Sequence, residues 1–167
     1  VKTAGLIMIS QPVAMTLISP FAGRLSDKRN PGVIASFGMT VTSAGLISLC
    51  FISENTPLIL ILIVLVVIGT GFGFFTSPNT NAIMSSVEKR QLGVASGIVG
   101  TMRTAGQMLS MGIAMMILAV FIGRRPLSPS NYKGLITGMK TGFTIFSILC
   151  IFGIFASLAR SSKNLHN

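Results

Sequence analysis

A single arginine, Arg103, interrupts an otherwise uncharged stretch from Leu92 to Ile122, with Gln107 four residues further on. A guanidinium keeps its charge under all ordinary conditions and carries five donors. In apolar surroundings it can act as a fixed counter-ion for a polar or anionic group, or it can lock onto carbonyls of neighbouring helices. At 100° per residue, Ser96, Gly100, Arg103, Gln107 and Ser110 fall on one narrow helical face, with Val94, Ile98, Met102, Leu109, Ile113 and Met116 opposite. Arg103 lies ten residues past Gly93, about 15 Å along a helix axis. A charge that deep in a bilayer costs about 2.5–3.5 kcal/mol even on a lenient scale, so it is expected to face the bundle interior. Lining a pathway and locking helix packing both remain open for it.

Other polar side chains stand in similar places. Gln11 precedes Pro12 in the middle of an uncharged run, where it either marks a packing kink or faces an internal cavity. Thr76-Ser77-Pro78-Asn79-Thr80-Asn81 concentrates amides and hydroxyls at a helix end, and such groups need protein or water partners at membrane depth. Asn79 and Asn81, with Gln11, Arg103 and Gln107, are therefore the candidates for lining a path. The chain holds only three acidic residues, Asp27, Glu54 and Glu88, and one histidine, His166. None forms a cluster fit for metal binding or acid–base chemistry, so neither an enzyme nor a cofactor is expected. Cys50 and Cys150 fall in separate apolar runs and read as packed thiols. Gly69-Thr70-Gly71-Phe72-Gly73-Phe74 matches a nucleotide-binding glycine pattern only superficially, because it sits inside an apolar run. Gly69 and Gly73 instead have the spacing that lets helices approach closely.

The elements that must hold these residues are long apolar segments. Half of the 167 residues are hydrophobic and a tenth charged, against about a quarter charged in a soluble domain. The pattern predicts an all-α integral membrane bundle with spanning helices at about 3–22, 33–52, 58–77, 92–122 and 141–159. The net charge of +10 lies in the gaps between them rather than on one continuous face, which fits lipid headgroups and argues against nucleic acid. Gly23 to Gly32 is a short charged island between two uncharged runs, hence a tight turn at a membrane surface. Placing it inside puts Arg24, Lys28, Arg29, Lys89, Arg90, Arg160 and Lys163 there, against Lys2, Arg124, Arg125, Lys133 and Lys140 outside, a weak positive-inside bias. With no initiating Met and no signal-peptide pattern, the chain reads as part of a longer one.

The island Gly23-x-Leu25-Ser26-Asp27-Lys28 resembles the G-x-L-[AS]-D-[RK] turn of the major facilitator superfamily, in its C-terminal copy. Gly71-Phe72-Gly73 through Pro78-Asn79-Thr80-Asn81, then Gly93-Val94-Ala95-Ser96-Gly97, Arg103 and Gln107, is similar to the drug:proton antiporter subfamily with about fourteen helices. The resemblance covers nearly the whole chain. It implies the C-terminal part of a proton-coupled multidrug exporter in the plasma membrane, multi-pass, acting on small amphipathic molecules. The N-terminal half of the same transporter would be its partner, and that half would supply the proton-carrying acids. Gly23, Arg24, Leu25, Asp27 and Lys28 would form an inner-turn gating motif, with Asp27 capping the fourth helix near Gly93. The sequence departs from the fuller motif at Asn30-Pro31. A carrier for a hydrophilic solute such as a sugar or organic anion, and a non-transporting membrane remnant, are the alternatives.

Overall fold

The computed structural model describes residues 2–53, 56–122 and 132–163. They form five long helices, α1 (Lys2–Ser26), α2 (Pro31–Cys50), α3 (Leu58–Ser85), α4 (Leu92–Ile122) and α5 (Tyr132–Lys163), with a single 3-10 turn at Lys89–Gln91 before α4. All five are long and apolar enough to cross a membrane. Glu54, Asn55, Arg124, Arg125 and the tail beyond Lys163 lie outside the described residues.

Burial is inverted relative to a water-soluble bundle. Most of the buried side chains are small or polar, among them Ala14, Ala22, Ala35, Ser36, Thr42, Ser43 and Ser147, whereas Leu, Ile, Phe and Met dominate the exposed surface. A bilayer gives no driving force for hiding leucine, and close packing of small residues holds helices together there. Most described hydroxyls bond back onto their own helix, as in Ser36 to Gly32 O (2.8 Å), Thr42 to Gly38 O (3.0 Å) and Thr70 to Val66 O (2.9 Å). These carry polarity into the bundle with their donors paired, whereas the buried Ser43 Oγ has no hydrogen-bond partner among the described residues.

The glycine-rich segment of α3 is the hinge of the packing. Gly69 and Gly73 face α1: a Cβ on Gly69 would fall on the carbonyl of Gln11, and one on Gly73 would come within 3.1 Å of Ile18. Gly71 points the other way, where a Cβ would strike Thr42 Oγ1 of α2. Gly38 answers it, 2.7 Å from Gly71 O by the same measure. Helix α3 therefore lies between α1, which runs parallel to it, and α2, which runs antiparallel. Leu49, Val64 and Ile68 close the α2–α3 seam at one end. Phe37 and Phe74 meet edge-to-face at 5.4 Å.

Helix α5 packs antiparallel along the far side of α2. Ser36 Oγ and Ser157 Oγ are paired at 2.9 Å, Cys150 Sγ donates to Met39 O (3.4 Å), and Cys50 Sγ lies 3.5 Å from Thr144 Oγ1. Both cysteines are free. Helix α4 rests mainly on α5, where Gly134 and Gly138 lie against Phe121, and Gly142 against Ile117.

Helix ends depart from the sequence expectation where polar residues found partners. Helix α1 continues past Ala22 to Ser26, whose Oγ bonds Gly23 O at 2.7 Å. Helix α3 does not stop near residue 77 but runs to Ser85, with Pro78 fully buried inside it. Helix α5 begins at Tyr132 rather than near 141, because Gly134 and Gly138 are a seam against α4, not loop residues. Helix α2 spans 31–50 rather than 33–52. Asn30 caps it, its Oδ1 accepting from Gly32 N at 2.9 Å, with Pro31 at the first position. The Asn30-Pro31 departure from the motif is thus a helix start, where proline has no partner to lose.

Candidate functional site: the inner turn, the fourth helix and two cavities

The charged island folds as the end of α1 and a turn. Asp27 N bonds Gly23 O (3.2 Å), while Lys28 N and Arg29 N both bond Leu25 O (3.1 and 3.0 Å). These bonds use two of the last free carbonyls of α1, and Asp27 meets α3. There Asn81 Nδ2 donates to Asp27 Oδ1 (2.8 Å) and to Ser26 Oγ (3.2 Å). One amide thereby ties two consecutive residues of the turn to the end of α3. Above it, a cleft of about 500 Å³ opens between α1 and α3, lined by Ser19, Gly23, Asp27, Thr76, Ser77, Thr80, Asn81 and Met84. Gly23 keeps the two helices close there, since a Cβ would stand 3.0 Å from Ser77 Oγ.

Asp27 does not cap α4. Its hydrogen bond goes to Asn81 on α3, and among the described residues it makes neither a hydrogen bond to the start of α4 nor an ion pair with Arg24 or Lys28. Packing of α1 along the glycine face of α3 decides this, because it carries the turn to the end of α3. Arg24, Leu25 and Lys28 are exposed. Asp27 and Asn81, one expected in the gating motif and the other in the path, thus meet in a single contact.

The path residues themselves are spread out. Gln11 is half-buried at the level of Gly69, which its carbonyl touches. Asn79, also half-buried, lies ten residues beyond Gly69, about 15 Å further along α3. Arg103 and Gln107 are exposed on α4, away from both. Ala95 is the one buried hydrophobic residue of α4. A Cβ added at Gly93, Gly97, Gly100, Gly106 or Gly112 would meet nothing within 4 Å. The expected polar and apolar faces are both open in this chain, Met102 and Leu109 being 70% exposed on the second. Two members of the polar face reach other helices: Ser96 Oγ donates to Met84 Sδ of α3 (3.8 Å), and Ser110 lines a space shared with α2, α3 and α5.

Ser110 and its neighbours Met111 and Ala114 form one wall of a second cavity, about 530 Å³ in volume, completed by Met39, Thr42 and Leu46 of α2, Phe72 and Phe75 of α3, and Phe146 and Cys150 of α5. Sequence reasoning missed this space. Its residues are ordinary apolar filler when read one helix at a time. Among the described residues no group of His, Cys, Asp and Glu could hold a metal ion.

Comparison with known proteins agrees with this architecture. The family profile described as Major Facilitator Superfamily matches residues 1–166. The chain is 32% identical over 114 residues to the uncharacterized transporter YebQ of Escherichia coli, covering 68% of this chain and 24% of that protein. It is 25% identical over 151 residues to the riboflavin transporter RibZ of Clostridioides difficile, covering 90% of this chain and 33% of that one. It is 28% identical over 121 residues to the multidrug resistance protein Stp of Mycobacterium tuberculosis, covering 72% and 22%. The chain therefore spans about a quarter to a third of the length of these curated relatives. No solved structure matches.

Proposed function

The chain belongs to the major facilitator superfamily, and from that premise we propose that it is the C-terminal part of a proton-coupled exporter of small amphipathic molecules in the plasma membrane. One observation carries the reading: at the level of Arg103 and Gln107 the polar face of α4 is exposed, with no described helix of this chain against it. A second bundle, the N-terminal half of the same transporter, would cover it and enclose an aqueous path between the two. Transporters of this kind rock two bundles of about six helices about such a path. Arg103 then stands in water or against solute, which avoids the cost of a charge in hydrocarbon. Asp27 and Glu88, the acidic residues described, lie at helix ends, so the proton-carrying carboxylate in this proposal comes from outside the described residues. The Asn81 bond to Asp27 and Ser26 holds the inner ends of α1 and α3 as one unit during rocking.

The similarity to Stp, named a multidrug resistance protein, supports export of drugs. The riboflavin transporter's match over 90% of the chain favours a second reading, a carrier for a hydrophilic solute with Arg103 as its counter-ion. Resistance of cells expressing the full-length protein separates the two. Export predicts raised resistance to amphipathic dyes and drugs, lost in Arg103→Ala with membrane insertion unchanged. Unchanged resistance in that variant would reduce Arg103 to a packing residue.

A further inference from the structure

The cavity among α2, α3, α4 and α5 meets the polar face of α4 at Ser110, seven residues beyond Arg103, and shares no lining residue with the cleft at Asp27. It lies at half-height in all four helices, since Thr42, Phe72, Ser110 and Phe146 each stand near the middle of their own helix. Two of its lining residues are themselves exposed, Phe72 of α3 at 39% and Met111 of α4 at 63%. A volume of about 530 Å³ is within the range of small-molecule sites, which are mostly apolar with a few placed polar groups.

The polar groups of the walls share one property. Thr42 Oγ1 gives its hydrogen to Gly38 O (3.0 Å), Ser110 Oγ to Gln107 O (2.9 Å), and Cys150 Sγ to Met39 O (3.4 Å). With their hydrogens engaged in this way, these groups offer lone pairs to whatever enters the cavity. No wall residue is charged. The rings of Phe72, Phe75 and Phe146 offer stacking surface, and the Met111 thioether adapts to a ring edge. A donor brought to this depth without an acceptor would be left unpaired at high cost. The free lone pairs of the walls lower that cost for a donor, whereas a ligand acceptor would have to draw a hydroxyl away from its helix carbonyl.

We infer that this cavity binds an uncharged, aromatic, drug-sized molecule that carries an N–H or O–H donor. If the chain is an exporter, as proposed above, this is the class of compound it moves; the site itself is tested without transport. The full-length protein in lipid nanodiscs is titrated with radiolabelled diphenylamine, which has two rings and one N–H, and with N-methyldiphenylamine, which lacks the donor. Diphenylamine is expected to bind saturably and the methylated compound about fivefold more weakly, the effect of one net hydrogen bond. Ala114→Trp, which fills the cavity from α4, is expected to abolish saturable binding. Thr42→Val combined with Ser110→Ala, which removes two acceptors with little change in volume, is expected to bring the two compounds close to equal affinity.

Equal binding of both compounds by the unaltered protein would overturn the inference, leaving only a slot for acyl chains. Saturable binding that survives Ala114→Trp in protein eluting as a single species would place the site elsewhere, and would overturn it equally. Binding is read without a proton gradient, so the two proposals fail separately. Retained binding with absent export would refute the transport reading, and lost binding with retained export would refute the site.

Discussion

Replacing Gly71 by alanine tests the packing on which every site in this chain depends. The added Cβ would fall on Thr42 Oγ1 and come within 2.7 Å of Thr42 N and 2.8 Å of Gly38 O. The last two are backbone atoms of α2 and cannot swing away. An ordinary contact of this kind is about 3.5 Å, so α2 and α3 must part by about 1 Å, enough to forfeit a quarter to a half of the dispersion across the seam. Overpacking of this kind costs about 1–3 kcal/mol. Gly142→Ala is the matched control, because its Cβ would meet only Ile117 Cδ1, at 3.7 Å. Both variants gain about 1 kcal/mol in helix propensity, so that term cancels and their difference isolates the collision. Thermal stability of the full-length protein in detergent, followed by loss of the monodisperse peak on size exclusion, should show Gly71→Ala melting several degrees below Gly142→Ala. Equal midpoints would refute the claim that α3 is held between its neighbours by glycine contacts.

The link between the inner turn and α3 should appear as coupling. In a double-mutant cycle of Asp27→Ala and Asn81→Ala, the singles together should cost about 1 kcal/mol more than the double, and strict additivity would contradict the bond. Asn30→Ala should lower stability by about 1 kcal/mol through loss of the α2 cap, with Asn30→Ser largely restoring it in the same melting assay. Gly23→Val, which drives a branched side chain at Ser77 Oγ, should loosen the α1–α3 cleft and make a cysteine at position 80 more reactive to thiol reagents.

Much of this arrangement was legible in residue order. The limits of α4 could be read because charge and polarity resume at both of its ends, and the spacing of Gly69 and Gly73 announced a close helix contact. The lengths of α1 and α3 were not legible. Ser26, Thr76 and Thr80 look like loop residues, yet Ser26 Oγ bonds Gly23 O within α1, and Thr80 Oγ1 donates to Thr76 O (2.9 Å) within α3. The early start of α5 was hidden in the same way, since glycine in a turn and glycine in a helix seam are identical until the neighbouring helix is in place. Asp27 and Asn81 could each be singled out, but 54 residues separate them, and no local pattern announces their bond. The cavity was invisible for a related reason: four helices each contribute ordinary residues, and only their packing makes a space.

The central claim is that the Arg103 face of α4 borders an aqueous path in the assembled transporter while the opposite face does not. In a cysteine-free background of the full-length protein, single cysteines at positions 102, 103, 107 and 109 are exposed to a charged, membrane-impermeant thiol reagent in intact cells. Modification is expected at 103 and 107, with protection at 102 and 109. Modification of 102 and 109 with protection of 103 and 107, or equal reaction at all four, would contradict the claim.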